Sequence, residues 1–362
     1  MAKGKKVRVE FRKNRGKPPR ENDFTRHVGQ VEADDAVSGE RVRAKGDLSR
    51  QRTVTLDDPV DSTDFISGRV LRVFGLFSDV ERDDGTILRC TVRRILKTMS
   101  LDERSAVTTG DRVKVRWDGK NEGVIEHVEP RRGILTRASR NREHILVANV
   151  DQLVVVVSLV DPALKVHLID RYLASAEKGE LKPILVLNKV DLTDPALVQP
   201  LVGAYSQLGI PTVLTSVPTG LGIDRLRNLL RNQTTVFSGQ SGVGKSSLLN
   251  AVEPGLGRLV REVSDVTNKG QHTTTTAELI RLSFGGWVVD TPGVRQFQLW
   301  DTRPEEVEGY FREFRPFVTQ CGFPDCSHTH ESKCGVKSAV AKRLISDRRY
   351  YSYLGLFNGV TE

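Results

Sequence analysis

Gly239-Gln240-Ser241-Gly242-Val243-Gly244-Lys245-Ser246 constrains this chain more than any other stretch. It fits G-x-x-x-x-G-K-[ST], and its flanks agree with that reading. Thr235-Val236-Phe237 runs in as a strand, and Ser247-Leu248-Leu249-Asn250-Ala251-Val252 runs out as a helix. A loop in that setting curls its N–H groups toward phosphate oxygens, and the helix N-terminus adds positive potential. The spacing assigns Lys245 to the terminal phosphates of a nucleoside triphosphate and the Ser246 hydroxyl to Mg²⁺. A glycine-rich loop that merely entered a core helix would require neither the lysine nor the serine.

Strands alternate with helices around this loop. Leu153 to Val160 is an eight-residue apolar run with one serine inside, suited to a strand buried on both faces. A helix over about 166–178 carries Leu168, Ile169, Tyr172, Leu173 and Ala176 on one stripe. The pattern continues with a strand from Pro183 to Leu187, a helix over about 195–208 and a strand from Thr212 to Leu214. A helix over about 222–231 leads into the phosphate-loop strand, and strands Glu278 to Phe284 and Trp287 to Val289 follow. These elements predict an α/β domain over 133–300, with a mostly parallel, doubly wound sheet.

Asn188-Lys189-Val190-Asp191 follows one of these strands and fits N-K-x-D. The Asp191 carboxylate can accept from guanine N1–H and the exocyclic amine, whereas adenine presents no such donor pair. The wrong base would leave a buried carboxylate unpaired, so discrimination is large. Asn188 would touch the base and hold neighbouring loops, and the Lys189 stem would lie over the ring. Ser216, in Thr215-Ser216-Val217 after the next strand, fits a loop on the far side of the base. Asp290-Thr291-Pro292-Gly293 fits D-x-x-G, with Asp290 on Mg²⁺ through water and the Gly293 N–H sensing the terminal phosphate. Gly270-Gln271-His272-Thr273-Thr274-Thr275-Thr276 supplies a switch threonine for Mg²⁺, Thr274 ahead of Thr273.

The boxes stand in an unusual order. N-K-x-D precedes the phosphate loop and D-x-x-G comes last, so one GTP site is built by a circularly permuted chain. The second switch then leads straight into the C-terminal region. Val294 stands where Ras-like proteins place a water-orienting glutamine, so hydrolysis by the chain alone should be slow. His272 is the nearest residue in the first switch able to position or deprotonate water.

The formal net charge of +9 is unevenly placed. The first twenty residues hold nine bases and one acid, so the tail carries nearly all of it. Residues 1–60 are polar and weakly patterned, which predicts a largely disordered extension suited to phosphate backbones. Residues 61–132 read as short strands of a small barrel. Asp84-Gly85 marks a hairpin, and Arg112-Val113-Lys114-Val115-Arg116-Trp117 alternates bases with Val113, Val115 and Trp117. An oligonucleotide-binding (OB) barrel fits, and an SH3-like barrel would look similar. The longest apolar run is too short to span a bilayer, and no apolar signal segment follows the start. The chain is expected in the cytoplasm, away from membranes, and nothing demands more than a monomer.

Residues 301–362 form a third region. Cys90 stands alone, as a small buried hydrophobe would. Cys321, Cys326, His328 and Cys334 give C-x₄-C-x-H-x₅-C, a closed Cys₃His set suited to one structural Zn²⁺, with His330 as the rival ligand. Pro304 opens a helix, and a last helix over about 336–354 is expected to align Val336, Val340 and Leu344.

The basic extension, barrel, permuted boxes and cysteine spacing together resemble the ribosome small-subunit-dependent GTPase A family (RsgA, also called YjeQ). The resemblance runs from about Phe65 to the C-terminus. It rests on Phe65-Ile66-Ser67-Gly68-Arg69-Val70, Asn188–Asp191, Gly239–Ser247, Gly270–Thr276 and Asp290–Gly293. It implies a late-acting assembly factor that binds ribosomal RNA of the small subunit through its barrel and zinc module. It also implies that subunit-stimulated GTP hydrolysis triggers release. Two other classes fit the same residues: a GTP-regulated RNA-binding switch with little turnover, and a GTPase acting on a protein or metal-delivery partner.

Overall fold

A computed structural model of the chain describes residues 5–10, 41–42, 51–56, 65–93, 106–117, 119, 121–138, 143–256, 277–290 and 304–359. No helix among them is long and apolar enough to cross a membrane. Within the extension, β1 (Lys5–Glu10), β2 (Arg41–Val42) and β3 (Gln51–Leu56) pair antiparallel in the order β1-β3-β2, with Val7 opposite Val54. Charge and composition predict little order in residues 1–60. The local alternation of Val7 with Val9 and of Val54 with Leu56 is a strand signal that the net charge conceals.

The chain divides into two compact units. The first holds the extension and the barrel strands; the second holds most of the chain beyond Pro130, together with Val70–Val73 and Thr108–Asp111. In the first unit, β4 (Phe65–Phe74), β5 (Phe77–Arg82), β6 (Ile87–Val92), β7 (Arg112–Trp117) and β8 (Glu122–Val128) lie in the order β4-β5-β6-β8-β7, and β7 pairs back on β4. The barrel is therefore closed and buries the apolar alternation. Val80, Leu88, Cys90, Val113, Val115 and Ile125 are all within 2% of full burial. An SH3-like meander would seat consecutive strands side by side. Here β8 lies between β6 and β7 and runs parallel to β6, which is the Greek-key route of an OB barrel. Trp117 departs from the expected face. It ends its strand at the barrel rim, 39% exposed, with the Arg82 guanidinium 4.8 Å over its ring.

In the second unit, β9 (Leu135–Ala138) and β10 (Glu143–Val147) form a hairpin. The chain then enters β11 (Gln152–Ser158), α1 (Val166–Lys178), β12 (Lys182–Asn188), α2 (Gln199–Gln207), β13 (Thr212–Leu214), α3 (Ile223–Leu230), β14 (Thr234–Ser238), α4 (Lys245–Val252), β15 (Glu278–Arg281) and β16 (Trp287–Asp290). A 3-10 turn over Pro195–Val198 replaces the first turn of the helix expected from 195. The strand order is β13-β12-β11-β14-β16-β15, parallel except for β15. Every residue of β11 is buried, because both faces of the sheet are covered. Leu153, Val155 and Val157 share a core with α1 and α2, whereas Val154 and Val156 share another with α3 and α4. Period-two alternation of one apolar run thus feeds two cores. The chain steps outward from β11 to β13, then returns to place β14 on the other side of β11. Ligands in such sheets bind at the strand C-termini beside that reversal.

The C-terminal region follows in the same unit as α5 (Pro304–Val307), α6 (Arg315–Val318), α7 (Gly335–Ala341) and α8 (Asp347–Phe357). Two helices stand where one was expected. Arg343 turns left-handed (φ +58°), and the Leu344 N–H reaches back to the Ala339 carbonyl, which closes α7. Leu344 consequently falls off the Val336 stripe and is 62% exposed.

Candidate nucleotide site and metal centre

The phosphate loop leaves β14 beside the sheet reversal. Gly239 takes φ +147°, and a Cβ there would collide with the Val156 carbonyl oxygen of β11. Gly244, at φ +91°, caps α4, and a Cβ there would sit 2.6 Å from Asn188 Nδ2. These two glycines let the loop press against the ends of β11 and β12. Val243 plugs its underside, while Ser241, Gly242, Ser246 and Ser247 are exposed, open to the ligands their spacing assigns them. Gln240 is half-buried, and Lys245 Nζ donates to the Gly239 and Gln240 carbonyls at 2.6 Å each.

Asn188 ends β12 and ties three segments together. Its Nδ2 donates to the Val243 carbonyl at 2.9 Å, and its Oδ1 accepts from Thr215 Oγ1 at 2.9 Å. Thr215 N–H in turn donates to the Leu187 carbonyl, and Val190 N–H to the Thr215 carbonyl. The base-reading and phosphate-reading loops are thereby one hydrogen-bonded body. Lys189 turns left-handed (φ +60°) and aims its ammonium at the Asp161 carbonyl, 2.8 Å away, with the Asp161 carboxylate at 3.5 Å. That partner lies in the β11–α1 loop, and no local pattern announced it. Asp191 is exposed in the short turn that follows, whereas Ser216 is buried and its backbone N–H donates to the Leu221 carbonyl. Asp290 ends β16, two strands from β11, so its backbone lies along the same C-terminal edge. His272, Thr274 and Gly293 lie outside the described residues.

The cysteine cluster assembles as the spacing predicts. One ligand atom from each of Cys321, Cys326, His328 and Cys334 lies within 4.8 Å of the others, and the set could hold one metal ion. His328 Nδ1 stands 3.5 Å from Cys321 Sγ and 3.3 Å from Cys334 Sγ. Tetrahedral thiolate and imidazole ligands lie roughly 3.5–3.8 Å apart, so the donors fit with small adjustments. The other ring nitrogen meets Glu308 Oε2 at 3.0 Å, which orients the imidazole as outer-sphere carboxylates do. His330 points away and its side chain is 85% exposed, so it is not a fourth donor. Burial pushes the Cys326 thiol up to about 12 and also raises Cys334, and a bound cation would reverse that preference.

A buried ionic knot joins this module to α1 and α2. Asp170, fully buried on α1, accepts through Oδ1 from Arg349 Nη1 and from the Tyr205 hydroxyl, both at 2.8 Å. Arg349 Nε also donates to Glu313 Oε1 at 2.6 Å. Burial alone would lower the Arg349 pKa, but Asp170 and Glu313 more than reverse it, so the guanidinium stays charged. At the end of α1, Glu177 receives Arg312 and Arg315 at 2.6 and 2.7 Å on the surface. In the barrel, the basic face of β7 is partly matched by acids, with Arg116 on Glu126 at 3.0 Å and Lys114 near Glu129 at 3.5 Å.

Residues 128–300 match the family model described as RsgA GTPase. The small ribosomal subunit biogenesis GTPase RsgA of Sodalis glossinidius (strain morsitans) is 41% identical over 307 residues, covering 82% of this chain and 86% of that protein. The protein of the same name from Chlorobaculum tepidum is 41% identical over 309 residues, 82% of this chain and 99% of its own. Among solved structures, YjeQ from Thermotoga maritima is 38% identical and covers 82% of this chain and 98% of its own, at a TM-score of 0.69. YloQ, described as a circularly permuted GTPase, is 26% identical over 84% of this chain and 97% of its own, at a TM-score of 0.66. Its permuted sheet, its joined phosphate and guanine loops and relatives this similar over most of its length place one conclusion beyond the fold: the chain belongs to the RsgA family of GTPases.

Proposed function

We propose that this chain hydrolyses GTP as a late maturation factor of the small ribosomal subunit, slowly alone and faster on the subunit, and that hydrolysis releases it. The observation that carries the reading is the Asn188 bridge, which makes the guanine loop and the phosphate loop a single site. The relatives' name, small ribosomal subunit biogenesis GTPase, supplies the partner. In this reading Asp191 selects guanine, Ser216 closes the base from behind, and Gly239–Ser247 and the Gly293 N–H hold the phosphates. Ser246 and Thr274 ligate Mg²⁺, with Asp290 holding it through water. When bound, that ion neutralises charge on the β- and γ-oxygens. His272 positions or deprotonates the attacking water, whose oxygen displaces GDP from the γ-phosphorus. The Cys₃His set holds Zn²⁺, a structural ion because no open position remains for water. The barrel and the basic extension contact ribosomal RNA, and the protein acts in the cytoplasm as a monomer.

The test is GTP turnover with and without purified small subunits, beside His272→Ala and Asp191→Asn. GTPase activators accelerate turnover by up to about 10⁵-fold, so true stimulation is easily read. Stimulation lost in His272→Ala supports both the partner and the residue. Stimulation that survives removes His272 from the mechanism. No stimulation, with guanine binding intact, leaves a GTP-regulated RNA-binding switch.

A further inference from the structure

Between the first turns of α1 and the exposed face of α8 lies a cavity of about 440 Å³. From α1 it receives Val166, His167 and Arg171; from α8 it receives Arg348, Tyr351 and Leu356. The lining follows from helix spacing. His167 and Arg171 are four residues apart, and Arg348, Tyr351, Ser352, Gly355 and Leu356 recur at three- and four-residue steps, so each set shares one face. The volume falls within the range of small-ligand sites.

Three features separate this cavity from an ordinary groove between helices. Its charge is one-sided: Arg171, Arg348 and His167 line it, and Lys165 precedes α1. The nearby acid Asp170 is fully buried and engaged by Arg349 and Tyr205, which leaves Asp347, at the exposed start of α8, as the acid beside Arg348 in sequence. Next, Tyr351 is 70% exposed at the rim, an aromatic face offered beside cations. Finally, Gly355 stands inside α8, where glycine disfavours the helix, yet a Cβ there would meet nothing within 4 Å. Packing does not ask for glycine at that position. A side chain would instead take up the cavity.

We propose that this cavity receives one unstacked nucleotide of single-stranded RNA, its base against Tyr351 over the apolar floor and its phosphate between Arg171 and Arg348. Aromatic stacking beside arginine is the usual chemistry of such sites and is tolerant of base identity. Burial lowers the Arg171 pKa, and a phosphate beside the guanidinium would favour its charged form. His167 is held below its usual pKa by burial and then by Lys165 and Arg171, with Asp170 pulling the other way, so an anion entering beside Arg171 should raise it. The proposal rests on the small-subunit reading for the source of the RNA, but its test does not.

The test uses the full chain with its nucleotide site filled by GDP and Mg²⁺. The probes are uridine monophosphate and a fluorescein-labelled uridylate decamer. Uridine monophosphate should move the His167 ring resonances and raise its pKa. Tyr351→Ala and Gly355→Met, the latter filling the cavity without touching the core, should each weaken decamer binding about tenfold. Arg348→Ala should weaken it and lower the salt slope by about one. GTP turnover by the chain alone should be unchanged in all three. Decamer affinity equal to wild type in both Tyr351→Ala and Gly355→Met would overturn the site. So would inorganic phosphate or a phosphoserine peptide shifting His167 as strongly as the nucleotide does, with Tyr351→Ala without effect, because that describes an anion or phosphopeptide site. Failure of small subunits to stimulate turnover, with these decamer effects intact, would remove the ribosomal reading and leave the cavity's ligand standing.

Discussion

The nucleotide end of the sheet and the metal module solve the problem of holding polar groups in place in opposite ways. The nucleotide site hangs from a core that exists without it. Its loops are the C-terminal ends of strands whose side chains fill two apolar layers, and its fixed points are backbone groups and one asparagine. The module has four short α-helices around Phe311, Phe314, Tyr353 and Val336, and the three cysteines of its Cys₃His set belong to that same cluster. In the first region the fold comes before the site. In the second, the site is a large share of what folds.

The sharpest way to break this contrast is to take the metal away. Chelation, or Cys334→Ser, should unfold residues 304–359 while the sheet remains, because a structural ion in the Cys₃His set would supply on the order of 10 kcal/mol. Far-ultraviolet dichroism with a metal-release assay would read it. A module that stays folded without metal would erase the distinction. Second comes the knot between the regions. Arg349→Met strands Asp170 and Glu313 as buried carboxylates and should cost about 3–5 kcal/mol in denaturant unfolding. A loss below 1 kcal/mol would mean the pair is not sealed from water. Third, Asn188→Ala orphans the buried Val243 carbonyl and Thr215 hydroxyl; it should cost about 1–3 kcal/mol in denaturant unfolding and weaken GDP binding by more than that, because the two loops also lose their shared register. Equal losses in binding and stability would place Asn188 in the core rather than the site. Smallest is Arg312→Ala, which removes a surface contact to Glu177 and should change stability by less than about 1 kcal/mol, less still at high salt.

The sequence made some of this readable and hid the rest for physical reasons. The α1 stripe, the all-buried β11 and the glycine loop carry local signals, a period or a steric demand, and they appear where expected. The metal set was legible because ligand spacing is itself a local signal. The break at Arg343 was not, since a left-handed arginine carries no mark of its own and the apolar period runs straight through it. Nor were Asp170, Arg349 and Glu313, whose contacts span up to 179 residues of chain. A buried ion pair between distant elements leaves no periodicity, and each partner reads alone as a surface charge. Asp161 and Glu308 escaped notice likewise, because they act on residues that motifs named, from positions that motifs do not cover.

The strand order also has a consequence for how the chain is made. Synthesis runs from the N-terminus, and domains tend to fold as they emerge. β11, β12 and β13 can pair as soon as they appear, but β11 keeps one side open until β14 arrives. That side is an apolar, parallel edge of the kind that invites wrong partners. The guanine-reading loop is thus complete while the phosphate loop is still unmade, and nascent chains can gain no stability from GTP over that interval. The two ends of the nucleotide site therefore meet only after β14 has joined β11.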